Sequence, residues 1–389
     1  MYEWPSVDWR VLRADRTVRL RELMTARGLD HMLLMAFDNV RFATDYRVMT
    51  IVENYDWFTA VFDESGQSRV FVPFVDSRVD HPVEDLPDLV AWLPTPSWSS
   101  ATMHADIYVG LLAQELSRLR ARRVGYDIIP HQVIAGLEAR LPDVTFEPMA
   151  VELFVLRAEK HPIEIDLLDA SARVAAIAAE EALHAVQPGM RDYDVMAVAM
   201  ESMQRQGAEY LTHSVCNVRL PKGEWFPRGQ TLVEGDAFFF DIGCHGHGGY
   251  ASDICRMAFV GDPRDEIVHA WDVLLEAYRA GQAVARPGTR VSEIHEATNG
   301  VLRKRGLPHT PYAVGHGIGL RACEWPTIDR HEMISADPTL VVGATIALEP
   351  ETYVEIGNRP VVLKVEDNFV VEANGLRALS TAQLRPDVR

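Results

Sequence analysis

The sequence predicts a mixed α/β (α+β) protein in two parts, and three observations carry that expectation. Short apolar runs alternate with helix-period segments up to about residue 155. A single long amphipathic pattern then opens at Pro162. Beyond it, one Pro-Gly motif occurs twice with matching offsets, which points to two structurally related halves. The predicted domains are residues 1–155 and 156–389.

In the first part, Arg16 to Arg27 has helical spacing and stops at Gly28. The apolar run His31–Phe37 follows, and Thr59–Phe62 and Val70–Phe74 have strand character. Residues 76–106 are rich in Pro, Asp and Ser and predict irregular structure. Leu111–Leu119 predicts a helix, and Arg123-Val-Gly-Tyr-Asp127 a strand entering a turn. Repeated β-α alternation of this kind predicts an open sheet.

In the second part, Pro162 suits the first turn of a helix. From there Leu168, Ala172, Ala175, Ala179, Leu183 and Val186 recur every three or four residues, up to Pro188-Gly189. That dipeptide is followed by Arg191, Asp194, Val195 and a closing Gly207. Pro287-Gly288 is followed by Arg290, Glu293, Ile294 and Gly306 at the same offsets. The stripe Trp271, Leu274, Leu275, Tyr278 predicts core.

Composition narrows the function. The chain has 389 residues, 48% hydrophobic and 24% charged, which is ordinary for a globular protein and excludes disordered and collagen-like classes. Asp plus Glu number 56 against 38 Lys plus Arg, a net charge of −18. That balance opposes nucleic-acid backbones and anionic membranes and suits a hard cation. Cys216, Cys244, Cys255 and Cys323 form no CxxC pair, so neither a zinc knuckle nor a disulfide framework is expected. The N-terminus carries no apolar signal core, and no apolar run reaches membrane-spanning length. A soluble, cytoplasmic protein is expected.

The chemistry lies in the second part. Asp241 sits in Phe238-Phe-Phe-Asp-Ile-Gly243 and Asp253 in Gly249-Tyr-Ala-Ser-Asp-Ile-Cys-Arg256, with a glycine-rich hairpin tip between them. Glu349 sits in Ile346-Ala-Leu-Glu-Pro350 and Glu366 in Val361-Val-Leu-Lys-Val-Glu-Asp367. Each acid follows an apolar strand pattern, and a buried carboxylate requires a partner. Between the two pairs, His316 lies in Val314-Gly-His-Gly-Ile-Gly-Leu320, on backbone that something approaches closely. Four acids and one imidazole on facing strands suit two divalent cations sharing an activated water. Oxygen-rich ligation with one nitrogen favours Mn, Fe, Co or Zn.

These residues resemble the M24 metallopeptidase superfamily, the pita-bread fold of Xaa-Pro dipeptidases, aminopeptidase P, methionine aminopeptidase and creatinase. The resemblance is carried by Leu156-Arg-Ala-Glu-Lys-His-Pro-Ile-Glu-Ile165, Asp241-Ile-Gly243, Tyr250-Ala-Ser-Asp-Ile-Cys-Arg256, Gly315-His-Gly-Ile-Gly-Leu320, Glu349-Pro350 and Glu366-Asp367. Asn39-Val-Arg-Phe-Ala-Thr44 resembles the creatinase-type N-terminal domain. The resemblance implies Asp241, Asp253, His316, Glu349 and Glu366 as ligands of two divalent transition-metal ions, with Glu349 or Glu366 assisting proton transfer. It also implies a homodimer acting on a small amino-acid-like or dipeptide substrate.

The chain departs from the Xaa-Pro peptidase pattern at the non-ligand histidines. Trp225-Phe226, Tyr312 and Cys323 stand at those positions, so Trp225, Phe226, Tyr312 and Cys323 are candidate substrate contacts. Trp cannot accept a proton, and Cys is a poor substitute for His. Dimethylsulfoniopropionate lyases of the same fold also lack those histidines. They resemble this chain in a Trp-Phe pair, which suits a sulfonium or quaternary ammonium group. They carry an Asp where this chain has Gly243. The leading expectation is therefore a dinuclear metallohydrolase. The alternatives are a metal-dependent lyase acting on a small zwitterion, a creatinase-like C–N hydrolase, or a non-catalytic binding module. His309 and His213 are candidate proton shuttles, whereas His245 and His247 are expected to be solvated turn residues. Cys323 has no evident activating base, and a buried structural thiol is the simpler expectation for it.

Overall fold

The computed structural model describes residues 1–47, 57–73, 89–95, 101–219, 224–380 and 382–384. The chain forms two compact units. One is Asp8–Leu156; the other combines Arg157–Arg389 with the first seven residues, Met1–Val7.

The first unit opens with α1 (Trp9–Arg27), which is capped by Asp8 accepting from the amides of Arg10 and Val11. Gly28 closes it at φ 65°, a left-handed conformation that suits glycine. The run from His31 to Phe37 divides into β1 (His31–Leu34) and the start of α2 (Phe37–Thr44). β2 (Thr59–Asp63), β3 (Ser68–Pro73) and β4 (Leu89–Thr95) follow, then α3 (Ala105–Arg118), β5 (Arg123–Tyr126), α4 (His131–Arg140) and β6 (Thr145–Pro148). The six strands form one mixed sheet in the order β4-β3-β2-β1-β5-β6.

The irregular stretch expected over 76–106 lies mainly outside the described residues, but its described part contains β4, a strand parallel to β3. Composition concealed it because β4 carries Pro94, which an edge strand tolerates. The core packs Leu33, Val61, Phe71, Leu112, Val124 and Leu137. Just past β5, the buried carboxylate of Asp127 accepts from the amides of Met35 and Ala36 and from Asn39 Nδ2, at 2.8–2.9 Å. Burial pushes its pKa up to about 6 despite those donors.

The second unit follows α5 (Ala150–Ala158). Its first half comprises α6 (Pro162–Ala185), α7 (Asp192–Arg205), β7 (Tyr210–Asn217), β8 (Ala237–His245) and β9 (Ile254–Phe259). The second half comprises α8 (Asp265–Val284), α9 (Val291–Lys304), β10 (Gly315–Gly317), β11 (Glu324–Ile328), β12 (Thr345–Leu348), β13 (Glu351–Ile356), β14 (Arg359–Lys364), β15 (Asp367–Glu372) and β16 (Gly375–Ala378). The strands form sheets β7-β8-β9, β11-β10-β12-β15-β16 and β13-β14, all antiparallel. The Cys255–Glu366 backbone bridge joins β9 to the segment between β14 and β15.

The sequence echo is physical. Asp194 Oδ2 accepts from the Arg191 amide at the start of α7, and Glu293 Oε2 accepts from the Arg290 amide at the start of α9. Each carboxylate satisfies an amide that the first turn leaves without a helical partner. The chain before each helix then bridges a loop in the same way, Arg191 with Thr231 and Arg290 with Thr339. Trp271, Leu274, Leu275 and Tyr278 are core residues, 0–5% exposed.

Period-two alternation on β8 places the site. Phe238, Phe240, Ile242 and Cys244 pack with the helices α6 and α7. Phe239 faces the opposite cluster, and Asp241 shares its side of the strand. The hairpin tip differs from expectation. His245 is 5% exposed and its Nδ1 lies 2.8 Å from the Gly249 carbonyl. His247 is exposed, but its ring stacks on Trp4 of the N-terminal segment at 4.4 Å. Trp4 Nε1 donates to the Gln206 carbonyl. Among the described residues, no helix is long and apolar enough to cross a membrane.

Candidate metal centre

A cavity of about 270 Å³ opens in the second unit, where β7, β8, β10 and β14 converge. Asp241, Asp253, His316, Glu349 and Glu366 all line it, together with His213, Lys364, Trp225, Tyr312 and Cys323. The five residues with metal-ligand character therefore meet although 125 positions separate the first from the last. Asp241, Asp253 and Glu366 are 1–4% exposed.

Local structure explains why each acid is held there. Asp253 is braced through its backbone: its amide donates to Asn368 Oδ1, and Asn368 Nδ2 donates to its carbonyl. Glu366 is fixed by backbone bonds to Cys255 in both directions, and Arg256 Nη1 donates to its carbonyl at 2.8 Å. Arg256 is itself held by Asp367, which also accepts from Tyr278 and Ser380. The glycines around His316 answer the approach of neighbouring strands. A Cβ on Gly315 would lie 2.2 Å from the Ala347 carbonyl, and one on Gly317 would lie 2.1 Å from that of Trp325.

The electrostatics are those of crowded anions. The nearest oxygens of Asp253, Glu349 and Glu366 lie 3.5–3.8 Å from His316 Nε2. His213 Nε2 lies 2.9 Å from Asp241 Oδ1 and 3.1 Å from Asp253 Oδ1. The Lys364 ammonium pairs with Asp241, with Glu349 Oε2 at 2.9 Å and with Glu366 Oε2 at 3.2 Å. Burial and then repulsion from Asp253 hold the Glu366 carboxyl well above the usual range. Burial also raises Asp253, against the pull of His213. For Asp241, burial is outweighed by Lys364 and His213, and its carboxyl falls below the usual range. Burial opposes the charge on His316, but the neighbouring Cys323 and Glu349 raise it well above an ordinary imidazole.

Both oxygens of Glu366, and Oδ1 of Asp253, are buried without a well-formed hydrogen bond, although the Lys364 ammonium faces Glu366 Oε2 and the His213 ring faces Asp253 Oδ1. Buried polar atoms left so are rare and ask for a partner. Among the described residues, three overlapping groups could hold a cation: His213 with Asp241 and Asp253, Asp253 with His316 and Cys323, and His316 with Glu349 and Glu366. In each, the donor atoms lie within 4.8 Å of one another. Such a donor set fits divalent cations of the transition series.

Four other candidates separate. Trp225 and Tyr312 line the cavity in edge-to-face contact, 5.8 Å between ring centres. The Tyr312 hydroxyl donates to Glu351 Oε2 at 2.6 Å, which anchors it. Phe226 is 68% exposed and lies outside the lining, because Trp225 turns inward and its successor turns to solvent. His309 is exposed and also outside the lining. Its neighbour Thr310 takes the inward position instead, with its amide bound to Asn299 and its hydroxyl to the Glu351 carbonyl.

Cys323 is exposed at the cavity wall rather than buried. The carboxylate of its neighbour Glu324 is enclosed by Arg157 at 3.2 Å and Lys160 at 3.4 Å, both from the Leu156–Ile165 motif. Lys364 carried no assigned role in the sequence. Its signal was a lysine two positions from Glu366 on an otherwise apolar strand, hence on the same face. Gly243 admits no side chain, since a Cβ there would lie 2.0 Å from the Ser252 carbonyl.

Antiparallel strands backed by paired helices, closing on a buried cluster of acids and imidazoles, define the pita-bread architecture of metal-dependent hydrolases. The comparisons agree. The model of "Metallopeptidase family M24" matches residues 166–373, and that of the "Creatinase/Prolidase N-terminal domain" matches residues 16–158. An uncharacterized peptidase of Bacillus subtilis is 24% identical over 375 residues, covering 93% of this chain and 96% of the relative. An Xaa-Pro dipeptidase of Pyrococcus horikoshii is 25% identical over 263 residues, 66% of this chain and 72% of the relative. The solved Xaa-Pro dipeptidase from Bacillus anthracis superposes with a TM-score of 0.80 at 21% identity, covering 96% of this chain and 99% of that one. The chain belongs to metallopeptidase family M24, in its Xaa-Pro peptidase branch, and is a hydrolytic enzyme.

Proposed function

We propose that this chain is a dinuclear metallohydrolase of small amino-acid-like or dipeptide substrates. Asp241, Asp253, His316, Glu349 and Glu366 hold two divalent ions, Mn, Fe, Co or Zn. The observation that carries this reading is the set of buried carboxylate oxygens without well-formed hydrogen bonds around one cavity. Bound there, such ions supply an activated water and polarise a substrate carbonyl. Glu349 is the less enclosed of the two glutamates and faces the cavity, so its carboxylate takes up and returns the proton. Asn368 and Arg256 hold Asp253 and Glu366 in place through the backbone. Trp225 and Tyr312 form an aromatic wall that excludes water and limits substrate size.

With Trp225 and Cys323 in the histidine positions, transition-state stabilisation rests on the metals and the cavity wall. The cavity volume is at the lower end for ligand sites, which suits a substrate no larger than a dipeptide. The same reading includes a homodimer, as the family resemblance implies.

The test is metal content by mass spectrometry on protein purified without added metal, beside Asp253→Ala and His316→Ala. Close to two transition-metal ions per chain, lost in both variants, is the expected result. Product analysis on Xaa-Pro dipeptides in labelled water then separates hydrolysis from elimination on betaine or sulfonium substrates. Wild-type protein that takes up none of these metals refutes the proposal. An unsaturated product without label incorporation transfers it to the lyase class.

A further inference from the structure

We infer that Cys323 is a metal-binding thiol of this centre, completing with Asp253 and His316 a donor set for a thiophilic divalent cation. The inference rests on the metal centre proposed above and extends its ligand set and metal preference.

Geometry comes first. The Cys323 sulfur, a carboxylate oxygen of Asp253 and a ring nitrogen of His316 all lie within 4.8 Å of one another. The second observation is independent of the cysteine. Asp253 is 4% exposed, lines the same cavity, and its Oδ1 accepts no well-formed hydrogen bond, with only the His213 ring 3.1 Å away beside it. A buried anionic oxygen of that kind is an incomplete site, and a cation completes it. Third, Cys216, Cys244 and Cys255 are 0–1% exposed, and Cys323 alone of the four cysteines meets solvent. A cation entering the cavity therefore encounters one thiol.

The cysteine is also held in position. It immediately precedes Glu324, whose carboxylate is enclosed by Arg157 and Lys160 and accepts from the Arg321 amide. The segment carrying the sulfur is thereby tied to the buried framework of the unit.

Coordination here loses the thiol proton to solvent and forms one sulfur–metal bond, with no change of oxidation state. A thiolate among oxygens and one imidazole moves the preference away from Mn2+ toward Zn2+, Co2+ and Fe2+. The centre also becomes sensitive to thiol alkylation.

Cobalt is the probe. Co2+ is titrated into metal-free full-length wild type and Cys323→Ser, and bound metal is counted by mass spectrometry. Near-ultraviolet thiolate-to-cobalt charge transfer and iodoacetamide labelling by intact mass are the readouts. Wild type is expected to show the band. It should also carry one thiol that alkylates without metal and is protected by Co2+. Cys323→Ser, with an unchanged far-ultraviolet circular dichroism spectrum, should bind Co2+ with the band lost. Cobalt bound by wild type without a band, and with a thiol that alkylates equally fast, overturns the inference and leaves the metal centre standing. A band that persists in the variant also overturns it. Wild type that binds no cobalt overturns both readings. Should the variant fail to fold, protection of the wild-type thiol decides the question alone.

Discussion

Replacing Lys364 by Met should move two properties in opposite directions. The Lys364 ammonium pairs with Asp241, Glu349 and Glu366 and is 8% exposed. Removing one partner of a buried ionic cluster costs about 3–5 kcal/mol. For a unit of this size, each kcal/mol lowers the melting temperature by about 2–4 °C, so a fall of about 6–20 °C is expected. Divalent cations compete with the ammonium for those carboxylates. If a third of the lost attraction opposed them, its removal tightens metal binding about tenfold. Differential scanning fluorimetry of metal-free protein and a Zn2+ or Mn2+ competition titration measure the two effects. Unchanged metal-free stability, or metal binding that weakens in a folded variant, would refute the idea that Lys364 holds the cluster together and competes with a cation for its carboxylates.

Two further outcomes concern the same centre. Asp253 and Glu366 are held above the usual carboxyl range by burial, and His213 and His316 are raised despite it. A cation competes with protons for these groups. Metal affinity should therefore rise with pH and fall on acidification, by about tenfold per pH unit for each proton displaced. Calorimetry in buffers of different ionisation enthalpy checks this, and a buffer-independent heat contradicts it. Gly317→Ala places a Cβ against a backbone carbonyl that cannot give way. A loss of about 1–3 kcal/mol in urea unfolding, with weakened metal uptake, is expected. A variant with wild-type stability and metal content would show that β10 can shift.

The meeting of the five candidate residues at one cavity was legible because strand alternation is regular. An acid two residues from an inward Phe on β8, or at the end of an apolar run, has only one face to occupy. The helix starts were legible for a similar reason, since Arg191 with Asp194 and Arg290 with Glu293 are purely local arrangements. His309 fails because it lies in a loop. Nearness in sequence to His316 says nothing about side-chain direction there, and Thr310 takes the inward place. Lys364 was on view in the sequence, but its three partners come from β8 and from the ends of β12 and β14, and no local pattern reports that. His245 reads as a turn residue until Gly249 supplies its partner inside the hairpin.

The docking of Trp4 against Gln206 and His247 has a consequence for the order in which the chain can fold. The Trp4–Gln206 bond spans 202 residues, so it contributes one of the longest loop closures available to this fold. During synthesis the first seven residues emerge long before their receiving surface exists, and they stay undocked until the His245–Gly249 turn has left the ribosome. Separating the chain between Leu156 and Arg157 therefore yields a carboxyl-terminal fragment that lacks the tryptophan stacked on His247, and the missing piece remains on the other fragment.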